Sequence, residues 1–181
     1  MRTTVELSDR ISIFAEYFQK KLFIKMLQRP QSLLLLLVAV CMVFFLGTET
    51  WHKTVGTESI SLNAYNLSYE KAGSIVKNTP VYYLAVLAVL SAGLSIFTIF
   101  QYKNRVRQML LVSLNSLVGA GLLGATVYHI QMDANKIFAP ENQGEFSFSF
   151  WAAFVALTLN WVANRLIRRD EKIVKDADRM R

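Results

Sequence analysis

Four long stretches of apolar residues dominate the pattern along the chain, and none of them contains a charged residue. They cover residues 30–48, 80–102, 108–132 and 146–164. Each has about 20 residues or more, the length that a helix needs to cross a hydrocarbon layer of about 30 Å. A soluble amphipathic helix of this length would carry a charged face. The pattern therefore predicts an all-α membrane protein, a four-transmembrane-helix bundle with spans at about residues 30–50, 80–102, 108–131 and 147–167.

The first apolar stretch also resembles a secretory signal, because basic residues precede an apolar centre that runs from Leu33 to Leu46. Two features argue against cleavage. The segment after Leu46, GTETWHK, has no convincing small-x-small cleavage site, and three further spans follow. Pro30 suits the first turn of a helix. We expect this segment to be an uncleaved first membrane helix.

The two loops on one side of the predicted bundle carry a different pattern, the alternation that is typical of strands. In the first loop, apolar and polar residues alternate, and a hairpin closing around residues 63–66 is expected. The apolar positions are Ile60, Leu62 and Ala64. In the second loop, phenylalanines alternate with serines at Phe146, Phe148 and Phe150. The sequence therefore predicts a small β-layer formed by these loops.

Basic residues are concentrated on the other side of the predicted bundle. Of 20 Lys and Arg residues, only Lys53, Lys71, Lys77 and Lys136 fall in the two loops just described. Lys and Arg near span ends face the cytoplasm, so we expect both termini to be cytoplasmic. An even number of spans leads to the same orientation. The residues that determine this topology are Lys20, Lys21, Lys25, Arg29, Lys103, Arg105, Arg107, Arg165, Arg168 and Arg169.

The sequence predicts three parts along the chain, with the four spans in the central one. Residues 1–29 form a cytoplasmic amphipathic N-terminal arm, residues 30–167 the transmembrane domain, and residues 168–181 a charged cytoplasmic helical tail. Acidic and basic residues four positions apart, such as Glu171 and Lys175, support the helical tail. Two interpretations of the arm remain open: a helix that lies on the anionic membrane surface, or an extra segment with translation starting at Met26.

Sequence motifs at the two ends resemble one family. Met26 to Gln31 reads MLQRPQ, and the tail contains DEK at Asp170 to Lys172 and ADR at Ala177 to Arg179. In these motifs the chain resembles the uncharacterised four-helix membrane proteins of the Bacteroidetes lineage that are grouped as domain of unknown function 4293. The resemblance covers the chain from Met26 onward. It implies a bacterial inner-membrane location and no assigned activity.

Small and polar residues in the third and fourth spans are the candidates for helix packing. Small residues let helix backbones approach closely in lipid, either within the bundle or between two subunits. They are Gly119, Ala120, Gly121, Gly124 and Ala125. Asn115 and Asn160 are intramembrane polar residues, and such residues pin helices together or line a polar path. Pinning is the simpler interpretation.

Side chains that carry chemistry are sparse. No acidic or basic residue lies within the four apolar stretches 30–48, 80–102, 108–132 and 146–164, whereas proton- and ion-coupled carriers usually place one within a span. Cys41 has no partner for a disulfide or a thiolate metal site. His52 and His129, with Glu49 and Asp133, have no spacing typical of metal ligands. We therefore expect no catalytic, cofactor-binding or metal-binding residues, no cofactor and no nucleic-acid partner.

These observations favour a non-enzymatic integral membrane protein, a structural or accessory subunit of a membrane complex. The lipid bilayer, and a protein partner or a second copy within it, are the expected partners. One alternative is an oligomeric small-solute transport or channel component. A weaker alternative is an enzyme that acts on lipid at the outer face through the two histidines and nearby acids.

Overall fold

The structure, a computed structural model, describes residues 30–101, 104–137 and 141–179. Its helices are α1 (Pro30–Gly47), α2 (Tyr82–Phe100), α3 (Arg105–His129) and α4 (Phe148–Arg179). A π-helical turn, Ile130–Ala134, and the short piece Asn135–Ile137 prolong α3. The strands are β1 (Trp51–Val55), β2 (Glu58–Leu62), β3 (Asn66–Lys71), β4 (Ser74–Pro80) and β5 (Glu145–Phe146).

The four helices form a closed bundle. α1 packs against α2 and α4, and α3 packs against the same two helices, so α1 and α3 occupy opposite corners. All four are long and apolar enough to cross a membrane. We call the end that carries the strands the sheet end. The opposite end, where α1 and α3 begin and α4 runs on to Arg179, is the tail end.

The bundle is apolar on its outside and partly polar on its inside. Leu110 and Leu117 of α3 are 66% and 71% exposed, whereas Gln108 and Asn115 of the same helix are 0% and 2% exposed. A bundle in water has the reverse arrangement. In lipid, apolar side chains gain nothing from burial, while polar groups must find partners inside the protein. The distribution is therefore that of a bundle built for a membrane.

The strands form one antiparallel sheet with the order β4-β3-β2-β1-β5. Trp51 of β1 pairs with Leu62 of β2 on one side and with Phe146 of β5 on the other. Trp51, Ile60 and Leu62 are fully buried and belong to the same apolar cluster as Phe45 of α1. The sheet is therefore continuous with the core of the bundle rather than a separate layer.

Two backbone hydrogen bonds fix the sheet to α2. The N–H of Val81 donates to the carbonyl of Tyr65 at 2.7 Å, and the N–H of Ala85 donates to the carbonyl of Ala64 at 3.1 Å. The turn that presents these carbonyls is shaped by Asn63, whose Oδ1 accepts from the N–H of Tyr65 at 2.9 Å and of Asn66 at 2.7 Å. This turn of the sheet is thus held directly on the first helical turn of α2.

The sequence predictions of four apolar helices and a small sheet are confirmed, with differences in detail. A hairpin does join β2 to β3 at residues 63–66, and Ile60, Leu62 and Ala64 are buried. The phenylalanine alternation forms a strand only at Phe146, because Phe148 is already the first residue of α4. α4 continues without a break to Arg179, so the predicted helical tail is an extension of the fourth helix as far as the structure describes it. The predicted arm and Lys103 lie outside the described residues.

Candidate functional site

The interior of the bundle contains an amide, Asn115 of α3, at its mid-level. Its Nδ2 donates to Oγ of Ser95 on α2 at 2.8 Å. The Ser95 hydroxyl in turn donates to the carbonyl of Ser91 at 2.9 Å. Asn115 and Ser95 are 2% and 0% exposed. This chain of bonds ties α2 to α3 away from water, where a polar contact cannot be replaced by solvent.

A second buried amide, Asn160 of α4, makes the corresponding connection to α3. Its Nδ2 donates to the carbonyl of Val112 at 2.9 Å and to Oγ of Ser116 at 2.8 Å. The Ser116 hydroxyl also donates to the Val112 carbonyl, at 3.1 Å. Asn115 and Ser116 are adjacent on α3. The two intramembrane residues predicted from sequence therefore lie at one level and fix α3 to a different neighbour each.

A second polar level lies one to two turns closer to the tail end. It contains Gln31 and Ser32 of α1 and Gln108 of α3, which are at most 3% exposed. Gln108 Nε2 reaches the carbonyl of Thr98 on α2 at 3.5 Å, the outer limit of a hydrogen bond. An apolar cluster, Leu35, Val112, Ala163 and Ile167, separates this level from the two asparagines.

The five small residues of α3 do not share one environment. A Cβ on Gly119 would lie 3.4 Å from Cδ1 of Leu157 on α4, so Gly119 faces another helix of the bundle. Ala125 packs partly against the main core. Ala120, Gly121 and Gly124 are exposed, and a Cβ on either glycine would meet nothing within 4 Å. Within one chain, only part of the predicted small-residue face takes part in helix packing.

At the sheet end, His52 lies at the mouth of a cleft of about 400 Å³ between β1 and residues 142–145. Its Nδ1 is 3.3 Å from Oγ of Ser147, and its Nε2 is 4.0 Å from Oε2 of Glu145. A nucleophile and its base usually approach within about 2.6–3.2 Å. The distance of 3.3 Å between His52 Nδ1 and Ser147 Oγ is longer than this range, and the His52 side chain is exposed. Both features are typical of a hydrogen bond at a protein surface.

Lys53 lies beside this cleft and is buried, at 2% exposure. Burial lowers the pKa of its ammonium group, because the charged form loses hydration. The wall of the cleft is fixed by Trp51, whose Nε1 donates to the carbonyl of Gln143 at 3.2 Å. Gly144 adopts a φ of +70°, and any side chain there would collide with the Trp51 ring.

The other histidine, His129, has its own partners at the end of α3. Its Nδ1 bonds to Oδ2 of Asp133, one turn further along. Its ring centroid is 5.5 Å from that of Tyr83 and 5.8 Å from that of Tyr128. The structure gives the two histidines separate surroundings, and in residues 30–101, 104–137 and 141–179 no three His, Cys, Asp or Glu side chains form a group suited to a metal ion.

The basic residues at the tail end are largely exposed. Arg105 Nη1 donates to the carbonyl of Asp170 at 2.7 Å, which joins the start of α3 to α4. The guanidinium of Arg165 stands 6.0 Å from the centroid of the Trp161 ring. Lys175 pairs with Glu171 at 2.9 Å, one of the helical pairs expected from sequence. Arg107, Arg168 and Arg169 are exposed.

The chain was compared with models of protein families and with curated proteins. The family model for a domain of unknown function (DUF4293) matches residues 27–180. The chain belongs to this family. The match begins immediately after Met26 and covers all the helices and strands described above. A comparison with curated proteins finds no match.

The DUF4293 domain contains two features that sequence reasoning missed. Lys53 looked like an ordinary loop charge, although it follows Trp51 by two positions and so shares the inward face of a strand. The second feature is a cross-strand group on the sheet, in which Glu58 Oε1 is 2.7 Å from Lys71 Nζ and Glu58 Oε2 accepts from Tyr69 at 2.9 Å. The strand register that joins them was not visible in the sequence.

Proposed function

We propose that this chain is a multi-pass protein of the bacterial inner membrane, in the Bacteroidetes lineage, with both termini in the cytoplasm. In this proposal the tail end faces the cytoplasm and the sheet end faces outward. The described tail end carries Arg105, Arg107, Arg165, Arg168 and Arg169, whereas the lysines of the sheet end are few and dispersed. The positive-inside rule supports this orientation. The family resemblance supports the Bacteroidetes lineage and the inner-membrane location.

We further propose that the protein is a structural or accessory subunit of a membrane complex rather than an enzyme. The observation that carries this proposal is that Asn115 and Asn160 are bonded to hydroxyl groups of neighbouring helices. These amides hold the bundle in one arrangement. A fixed bundle with a sheet at one end and a long helix at the other is suited to present surfaces to partners.

The surface best suited to a partner protein is the free edge of the sheet. β4 is an edge strand, and Ile75 and Val76 on it are 63% and 59% exposed. Unpaired backbone groups on an edge strand are available to an added strand. Lys77 is the one charged residue of β4. Pro80 and a bulge at Val76 limit how far an added strand could pair along β4, so the exposed apolar pair Ile75 and Val76 is the contact expected for a partner.

Site-specific photo-crosslinking in cells tests the accessory role. A photoreactive residue at Ile75 or Val76 is expected to link the chain to a distinct partner protein, identified by mass spectrometry. The same residue at Thr57, in the exposed turn between β1 and β2, is the matched control and should give no such product. Equal products at all three positions, or links to lipid alone from Ile75 and Val76, would argue against a partner on this edge.

A small-solute transport or channel component is the second candidate. The observation in its favour is that Gly121 and Gly124 are exposed on the outside of the bundle, where a Cβ on either would meet nothing within 4 Å. A second copy could pack closely along this face and create a path between subunits. Cross-linking of cysteine pairs at Leu117 and Gly124 in native membranes tests this oligomer. A specific covalent dimer would support the oligomer that this candidate requires, and its absence would argue against this candidate.

A further inference from the structure

Buried carbonyl oxygens without a partner are concentrated in the tail-end half of the bundle. Among the described residues, Oδ1 of Asn115, Oδ1 of Asn160 and Oε1 of Gln108 accept no hydrogen bond from the protein. These side chains are 2%, 1% and 0% exposed. Buried acceptors are almost always satisfied in folded proteins. In the same half, Oε1 of Gln31 and Oδ1 of Asn164 also have no partner, whereas Oδ1 of Asn135 is the one such oxygen at the sheet end among the described residues. These oxygens call for donors from outside the chain.

The amides cannot remove the deficit by rotating. If Asn160 were turned over, its Oδ1 would face the carbonyl of Val112, which is an acceptor that its Nδ2 now reaches at 2.9 Å. If Asn115 were turned over, the Ser95 hydroxyl would have to leave the Ser91 carbonyl to donate to Oδ1, and the NH2 group would lose the acceptor that it has in Ser95. Each amide is therefore fixed with its NH2 group on the neighbouring helix and its oxygen left over.

The hydroxyl groups nearby have no proton to spare either. Ser95, Thr98 and Ser116 each donate to a carbonyl of their own helix, four residues earlier, at 2.9, 2.6 and 3.1 Å. This bond is common for hydroxyl residues in membrane helices. Ser32 Oγ has no partner among the described residues, but it lies with Gln108 on the far side of the apolar cluster from the two asparagines. At the level of the asparagines, the hydroxyl groups of Ser95 and Ser116 are already used. A ligand at this level must bring its own hydrogen atoms.

Apolar layers bound the level of the two asparagines on both sides. Toward the tail end lies the cluster of Leu35, Val112, Ala163 and Ile167. Toward the sheet end, the interior contains Val38, Met42, Ala88, Leu122 and Ala156, all in the main apolar core. The level is therefore a closed site rather than part of a continuous polar path.

We infer that water binds at the asparagine level, to Asn115 Oδ1 and to Asn160 Oδ1, each of which is a buried acceptor without a partner in the described chain. Water is small, neutral and able to donate two hydrogen bonds, and buried waters usually bind polar groups that have no partner in the protein. A monovalent cation would also be attracted by carbonyl oxygens. It would need several of them to replace its hydration, with no carboxylate to offset its charge within the described spans. The inference goes beyond the proposed function, which requires no internal ligand.

Nuclear magnetic resonance of the full chain in detergent, labelled with ¹⁵N-asparagine and ¹⁵N-alanine, tests the site directly. The side-chain NH2 protons of Asn115 and Asn160 are expected to show nuclear Overhauser contacts with long-lived water. The variants Asn115→Leu and Asn160→Leu assign the two signals by their loss. The backbone N–H groups of Ala88 and Ala156, buried in the apolar core, serve as dry controls. Absence of water contacts at both asparagines in the folded wild type would overturn the inference.

Two further measurements follow. The first distinguishes bound water from a bound cation, and the second tests whether the water contacts belong to the asparagine level alone. The thermal midpoint is expected to be the same in sodium, potassium and choline chloride at equal ionic strength. A higher midpoint in sodium or potassium that disappears in Asn160→Leu would assign the site to a cation and overturn the inference. Thr126→Val removes a buried hydroxyl that donates to Leu122 nearer the sheet end. This control should leave the water contacts unchanged, and their loss there would also overturn the site assignment.

Discussion

Asn160 on α4 and Ser116 on α3 are joined by a 2.8 Å hydrogen bond across 44 residues of sequence, inside a bundle whose outer surface is apolar. The same amide reaches the backbone of Val112 at 2.9 Å. Together these bonds fix the rotation of α4 relative to α3. In a membrane, such a bond also specifies which faces of the helices meet, because apolar side chains pack about as well against lipid as against each other.

Asn160→Ala should therefore destabilise the bundle. Interhelical hydrogen bonds in membrane proteins contribute about 0.6 kcal/mol on average and up to about 1.7 kcal/mol. We expect a loss toward the upper value, since two bonds are removed. Asn164→Ala is the matched control on the same helix, because Asn164 makes only a 3.3 Å bond to Ser113 at the bundle surface. Unfolding in mixed detergent micelles measures the stability of both variants. An equal loss of stability in the two would show that the bonds of Asn160 contribute no more than the surface bond of Asn164.

The glycines of α3 should respond differently to leucine. Gly119→Leu is expected to lower the folded yield and thermal midpoint, because the new side chain would enter the space occupied by Leu157. Gly121→Leu and Gly124→Leu point away from the chain, and their effect on stability should stay within about 0.5 kcal/mol. Thermal unfolding together with size-exclusion chromatography measures stability and oligomeric state. Destabilisation by all three variants would mean that the outer face is also packed.

The four apolar helices and the hairpin at residues 63–66 were predictable because their signals are local. A run of apolar residues without charge has few alternatives to a membrane helix, and the alternation at Ile60, Leu62 and Ala64 indicates which face is buried. The asparagines were also visible, as polar residues in apolar runs. Their partners were not, since the contact between Asn160 and Ser116 depends on how two helices rotate. The outward position of Gly121 depends on the same rotation, which small residues alone do not specify.

The sheet should lose stability in acid through Glu58. Hydrogen bonds from Lys71 and then Tyr69 hold the pKa of the Glu58 carboxyl below its usual value. A carboxyl with a lowered folded-state pKa stabilises the fold above its unfolded-state pKa of about 4.3. That contribution is lost as the pH falls through the folded-state pKa. The thermal midpoint should therefore fall more steeply with acidification in the wild type than in Glu58→Gln. Parallel curves for the two proteins would exclude Glu58 as the source.

Cysteine accessibility in cells tests the proposed membrane topology most directly, since that topology decides which side of the membrane the sheet end and the tail end present to partners. In a Cys41→Ser background, cysteines placed at Thr57 and Asn142 of the sheet end should react with a membrane-impermeant thiol reagent in cells whose outer membrane alone has been opened. Cysteines at Asn104 and Asp176 of the tail end should react only after the inner membrane is permeabilised. All four positions are exposed in the structure. Labelling of Asn104 or Asp176 before that step, with Thr57 and Asn142 protected, would contradict the account.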